Sequence, residues 1–260
     1  MSGIDDRGVV LVSGAGAATF LQGLLTNDVL ALPQGEARYA ALLSPQGKIL
    51  FDFLVVAQAD GFALDCPAEQ TAALATRLGF YKLRTKVVVE NLSAALTVNA
   101  DAPAGDAAYR DPRHDGMGWR KIVPLAQAQD EAVRVARDAR RIALGVPAGG
   151  RDFAYGDTFP HEANLDRLHG IDFKKGCYVG QEVVSRVEHR GLARKRIVRL
   201  SYDGGPPRLG ADVIAGDVTL GTMGTSAGGH GLALVRLDRA EEAGGAAEVE
   251  GVAVRLHLGA

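Results

Sequence analysis

Cys177 carries the clearest chemical potential in this chain. It stands in Lys174-Lys175-Gly176-Cys177-Tyr178-Val179-Gly180-Gln181-Glu182. Cysteine reacts as the thiolate, and neighbouring cations favour that form. Lys174 and Lys175 are therefore expected to poise the thiol. Gly176 and Gly180 bracket it and allow backbone conformations that a Cβ forbids. The loop predicts redox work, thiol transfer or cluster ligation at Cys177, with Lys175 as its helper.

Cysteine arithmetic narrows the options. The chain has two cysteines, Cys66 and Cys177, far apart and without a Cys-x-x-Cys. An iron–sulfur cluster commonly takes four thiolates, and zinc three or four nitrogen and sulfur ligands. A self-contained cluster is excluded, and no metal site is expected. A cluster bridged between chains, or passed through Cys177, stays open. Hydrolytic Cys–His chemistry would draw its base from His161, His169 or His189, and no spacing selects one. Cys66, in Asp65-Cys66-Pro67 at an expected helix start, is assigned a structural role.

Charge is local rather than global. The net charge is −2, which advertises neither a nucleic-acid nor a membrane partner. Between Arg167 and Arg199, however, nine Lys/Arg face three acids, a local balance of +6. A basic segment around a thiol loop suits an anionic ligand or RNA; the plainer reading is a solvated edge guarded by cations. At 47% apolar and 23% charged, the composition is that of an ordinary globular protein. No apolar run has the length of a membrane span. The first six residues lack the basic start and apolar core of a secretory leader. With two cysteines only, a reducing compartment is expected, taken as the cytoplasm.

The elements that must position the loop follow from periodicity. Residues 9–12 predict a strand, then a turn capped by Ser13. A helix follows with Ala17, Ala18, Leu21, Leu24 and Leu25 on one face. Gly14-Ala15-Gly16 lacks the third glycine of a dinucleotide loop, since position 19 is Thr19. Residues 38–43 and 48–57 predict a hairpin across Ser44-Pro45-Gln46-Gly47. Asp52 lies inside its second strand, either facing solvent or buried for a purpose. Residues 67–78 predict a helix ended by Gly79, and residues 87–89 and 94–98 two strands; residues 99–108 look like an exposed connection. Trp119, the only tryptophan, is expected to pack, or else to stack on a planar ligand. Residues 130–144 predict a strong helix with Arg134, Arg137, Arg140 and Arg141 on a solvated face. Residues 151–164 look like loop. Beyond Leu192, short β-like runs at 197–202, 212–214, 218–222, 232–237 and 249–258 alternate with glycine-rich turns, which fits a small barrel.

The cysteine loop resembles the Lys-Gly-Cys-aromatic-x-Gly-Gln-Glu signature of the YgfZ family. These are folate-binding proteins, related to the T-protein (aminomethyltransferase) of glycine cleavage, that support iron–sulfur enzymes. The likeness runs nearly end to end. It takes in Phe20-Leu21-Gln22-Gly23 with Thr26-Asn27-Asp28-Val29, the hairpin Leu43-Ser44-Pro45-Gln46-Gly47-Lys48, Asp111-Pro112-Arg113 with Gly118-Trp119-Arg120, and residues 159–165. A mitochondrial member that assists late cluster assembly carries the same loop.

The resemblance implies an α+β fold: two interleaved α+β domains with antiparallel sheets around a central hole, closed by a C-terminal β-barrel. Residues 1–192 would form the folate-binding region and residues 193–260 the barrel. Tetrahydrofolate, or a one-carbon derivative, would occupy the hole. Glu162 matches the T-protein glutamate that bonds the pterin, a carboxylate suited to the two donors of an aminopyrimidine edge. Arg190 matches loosely the arginine that meets the folate tail, and Asn27, Asp28, Asp52 and Trp119 complete the expected cofactor set. Where the T-protein shows two adjacent acids in the strand after the hairpin, this chain has Phe51-Asp52; an acid of its long helix is replaced within Ala143-Leu144-Gly145, and another by Cys177. Glycine-cleavage chemistry is thereby put in doubt. The expected function is folate-dependent support of iron–sulfur cluster assembly or repair through Cys177. Expected partners are folate, assembly or client proteins and tRNA-thiolating enzymes. The alternatives are an aminomethyltransferase with Asp52 as its carboxylate, and a non-catalytic folate-sensing or RNA-binding module.

Overall fold

The computed structural model describes residues 6–82, 85–105, 107–191 and 193–259. The chain starts with β1 (Arg7–Ser13) and α1 (Ala17–Gln22), then runs through β2 (Ala37–Leu43), β3 (Ile49–Gln58), β4 (Gly61–Pro67), α2 (Thr71–Tyr81) and β5 (Val88–Asn91). The five strands form one antiparallel sheet in the order β2-β3-β4-β1-β5. Alternation along β3 explains its double burial. Phe51, Phe53 and Val55 face the core under α1 and α2, while Leu54 and Val56 face the centre of the protein. Asp52, one step from Phe51 and Phe53, shares the central face and is buried.

β6 (Leu96–Ala100), β7 (Ala108–Arg110) and β8 (Trp119–Pro124) make a second sheet, ordered β6-β8-β7. α3 (Glu131–Leu144) and α4 (Gln181–Arg190) follow, separated by a long stretch of turns. β9 (Lys195–Tyr202), β10 (Asp212–Ala215), β11 (Val218–Ala227), β12 (His230–Arg236), α5 (Leu237–Glu242), β13 (Ala246–Val249) and β14 (Val252–His257) complete the chain. Their strands close a barrel in the order β10-β11-β12-β9-β14-β13. The α+β arrangement with a terminal barrel is the one expected.

Several local expectations are corrected. Ser13 ends β1 and does not cap α1, whose N-cap is Gly16 with no side-chain bond; Leu24 and Leu25 lie beyond the helix. Cys66 sits in β4, a strand missed because Pro67 suggested a helix start. Burial pushes the Cys66 thiol up to about 12, so it stays protonated and inert. α2 runs through Gly79 to Tyr81. The predicted strand at 249–258 is a hairpin of β13 and β14. Leu192, the expected domain boundary, lies outside the described residues, as do residues 1–5.

The largest inversion is α3. Arg137 and Arg141 are 3% and 2% exposed, whereas Val133 and Val135 are 37% and 48% exposed. Arg141 ties the helix to the barrel through Asp152 (2.6 Å) and Thr225 (3.0 Å), and Asp152 in turn accepts from the Thr225 N–H and hydroxyl. The arginines face inward because buried carboxylates await them.

Candidate functional site

The cysteine loop is fastened from three sides. Asp172 folds the approach: its Oδ1 accepts the N–H groups of Lys174 (2.7 Å) and Lys175 (3.1 Å), an Asx turn. Upstream, the Thr26 hydroxyl donates to the Gly170 carbonyl at 2.6 Å, and the Asp172 N–H donates to the Thr26 carbonyl at 3.0 Å. Lys175 reaches under the loop, its Nζ donating to the carbonyls of Gln22 (2.8 Å), Leu25 (2.5 Å) and Asn27 (3.0 Å). Tyr178 is buried. Gly180, in the left-handed region at φ 82°, ends the loop and starts α4.

The predicted hairpin supports the far side. A Cβ on Gly180 would stand 2.7 Å from the Ser44 carbonyl oxygen, and one on Gly47 would stand 2.8 Å from Val183 Cβ. The turn also holds the preceding loop: Ile49 N–H donates to Thr158 O, Gly156 N–H to Ile49 O, and the Lys48 ammonium lies over the Phe159 ring. From this seat Cys177 is exposed as a free thiol and makes no hydrogen bond among the described residues. Lys174 is also exposed.

Lys175 makes no hydrogen bond to Cys177. An ammonium has three donors, and all three are spent on carbonyls. Asp172 and Thr26 are fastening residues that the sequence reading missed. Their signal was present: an acid two residues before Lys174 is the pattern of an Asx turn.

The residues expected to contact folate have the following partners. Asn27 is buried and saturated, its amide donating to Tyr39 O and His169 O and its Oδ1 accepting from Asp28 N–H. Asp28 lies 3.7 Å from Arg38. Glu162 Oε2 accepts the Phe159 N–H at 2.8 Å, which closes a turn. Arg190 is the exposed last residue of α4, and Trp119 the half-exposed first residue of β8.

Asp52 is the one expected residue at the centre. Its oxygens accept the Tyr39 hydroxyl (2.9 Å) and the Tyr155 hydroxyl (2.5 Å), and burial, reinforced by the carboxylate, raises both phenols well above their ordinary range. Gly149 permits this contact, because its Cβ would stand 2.1 Å from the Tyr155 hydroxyl. Asp52 lines a cavity of about 250 Å³ with Arg7, Glu69, Arg113, Arg141 and Arg151. An apolar groove of about 860 Å³ opens between the two sheets, lined by Val9, Leu11, Val56 and Tyr109.

A buried ionic cluster stands between these recesses. Asp65 accepts from Arg7 (2.6 Å), Arg120 (2.6 Å) and Tyr109 (2.9 Å). Asp111 accepts two bonds from Arg113, at 3.0 and 2.8 Å, and one from Arg120 at 2.9 Å. Burial alone would raise the Asp111 carboxyl; Arg113 and Arg120 outweigh it and hold the group well below the usual carboxylate range. Asp111, Arg113 and Arg120, from the two sequence motifs, are thus spent on one another and on Asp65.

One cluster has metal-ligating types. His161, Asp166 and Glu188 place ligand atoms within 4.8 Å of one another. Arg196 already holds Asp166 with two bonds, at 2.9 and 2.7 Å, and His161 Nε2 lies 3.1 Å from Glu188 Oε2, so the three are engaged with protein partners.

The layout defines a class. The fold matches glycine cleavage system aminomethyltransferase T from Bartonella henselae at a TM-score of 0.76 and 20% identity, over 98% of this chain and 83% of that one. Residues 4–100 match the GCVT N-terminal domain, and residues 194–259 the CAF17, C-terminal beta-barrel domain. This is an aminomethyltransferase-like fold closed by a six-stranded barrel.

Sequence relatives are more specific. The chain is 33% identical over 275 residues to "Iron-sulfur cluster assembly factor IBA57, mitochondrial" of Homo sapiens, covering 89% of this chain and 76% of that protein. The Mus musculus counterpart is 34% identical over 279 residues, covering 90% and 76%. The homologue from Mycosarcoma maydis is 36% identical over 233 residues; the match covers 78% of this chain but spans only 58% of that protein's length. The chain belongs to the IBA57 family of iron–sulfur cluster assembly factors. These relatives are mitochondrial by name, which overturns the expected cytoplasmic location. A low cysteine count marks a reducing interior and does not distinguish one such compartment from another.

No helix among the described residues is long and apolar enough to cross a membrane.

Proposed function

We propose that the chain supports iron–sulfur cluster assembly or repair by presenting Cys177 to cluster-carrying assembly or client proteins. The observation that carries this reading is an exposed thiol on a loop otherwise fastened to the protein. One thiolate supplies one ligand, and a cluster commonly takes four. The remaining ligands then belong to the partner, and Cys177 acts by joining or displacing a ligand while its proton leaves to solvent. Likeness to the YgfZ family extends the proposed clients to enzymes that thiolate tRNA. Residues 193–260 form the barrel part of this arrangement and residues 1–192 the part that bears the thiol.

The test is anaerobic mixing with a cluster-loaded carrier protein, followed by visible spectroscopy and co-elution. Wild type is expected to co-elute with a changed cluster spectrum and Cys177→Ala is not. Equal behaviour of the two would end the proposal.

Tetrahydrofolate is the finer part of the reading, supported by the fold shared with an aminomethyltransferase. As arranged, the residues do not fit it. The Asp52 cavity, about 250 Å³, falls below the roughly 300–1,000 Å³ of sites for ligands of that size. Asp52 is closed by Tyr39 and Tyr155, and Glu162 is turned to Phe159. No step is assigned to folate, and Asp52 offers no free carboxylate for aminomethyl transfer.

A further inference from the structure

We propose that Lys175 is the positioning residue of the Cys177 loop: its ammonium clamps the loop to the backbone carbonyls that follow α1, and it does not activate the thiol. The proposal rests on the reading of Cys177 as the working group. Its evidence is separate from that reading.

The final carbonyls of a helix have no partner within it. Gln22 is the last residue of α1, and its carbonyl accepts from Lys175 Nζ at 2.8 Å. The carbonyls of Leu25 and Asn27 take the other two protons, at 2.5 and 3.0 Å. One side chain thus gathers a helix end and the turn after it, about 150 residues away in sequence. Two covalent neighbours on from this clamp stands Cys177. With Asp172 holding the N–H groups of Lys174 and Lys175, the loop is pinned through backbone and side chain together.

The charged groups around the clamp are few. Asp28, itself 3.7 Å from Arg38, and Asp172 favour the ammonium; the Tyr178 ring lies 5.1 Å from it, and Lys174 is exposed beside it. Burial outweighs the two carboxylates and brings Lys175 down to about 8. Below that pH the clamp has three donors and a charge. Burial thus disfavours the charge while the three carbonyls hold it, and the clamp stands on those hydrogen bonds.

The experiment is amide hydrogen exchange across residues 172–180, with iodoacetamide labelling of Cys177, in wild type, Lys175→Met, Lys175→Arg and Lys174→Met. Loss of the clamp is expected to speed exchange about tenfold or more, since bonds to charged groups are the strong ones. Lys174→Met is expected to match wild type. At fixed pH, Lys175→Met is expected to label Cys177 no more slowly than wild type; slower labelling would restore the activator role and overturn the clamp. Exchange in Lys175→Met no faster than in wild type would also overturn it. Should Cys177 prove dispensable for function while exchange follows this pattern, the functional reading falls and the clamp stands.

Discussion

Gly180 rests directly on the carbonyl of Ser44: a Cβ at position 180 would stand 2.7 Å from that oxygen. The hairpin turn and the cysteine loop, in which Ser44 and Gly180 stand 136 positions apart, are therefore one structural unit. Gly180→Ala meets both a backbone clash and a φ of 82° that side chains rarely adopt. It is expected to destabilise the protein by about 1–3 kcal/mol, lowering Tm by roughly 2–4 °C per kcal/mol, and to speed Cys177 labelling. Calorimetry with thiol labelling checks this; an unchanged Tm and labelling rate would contradict the docking.

The central ionic cluster predicts a different response. Arg120 is fully buried and bonds both Asp65 and Asp111. Arg120→Met leaves those carboxylates short of a partner in a dry setting and is expected to cost about 3–5 kcal/mol. Denaturant unfolding is the measurement, and a loss under 1 kcal/mol would show that neighbouring arginines compensate.

Asp111 sets the acid limit. Its folded value lies below the unfolded value of about 3.9. Its contribution to stability is therefore complete above about pH 4 and is lost as pH falls further toward the folded value. Stability is expected to drop progressively below pH 4, and less steeply in Asp111→Asn. Parallel slopes for the two proteins would refute the assignment.

Much of this was legible in the sequence. The β2–β3 hairpin came from alternation and a Pro-Gly turn, α3 from its acids and Gly145, and the barrel from evenly spaced short strands. Three things were not. The buried partners Asp111, Asp152 and Thr225 of Arg137 and Arg141 lie outside α3, so periodicity named two faces of the helix without saying which was inside. α4 was missed because its apolar residues are few, although Glu182 in its first turn, His189 and Arg190 in its last, and Gly191 after it are end signals. Lys175 looked like a thiol activator because it is close in sequence; its true partners are the carbonyls of residues 22, 25 and 27.

The ligand question yields a sharp outcome. Glu162 serves the Phe159 N–H, so Glu162→Gln is expected to leave tetrahydrofolate binding unchanged in an anaerobic titration. A clear loss of affinity would place the pterin at Glu162 and reopen the central recess as a folate site.

The central claim is that the exposed thiol, and not the buried one, does the work. The most direct measurement is complementation of a strain lacking its own IBA57-family protein, read as activity of a cluster enzyme, with Cys177→Ala beside Cys66→Ala. The account predicts that Cys66→Ala restores activity and Cys177→Ala does not. Restoration by Cys177→Ala to the wild-type level would contradict it.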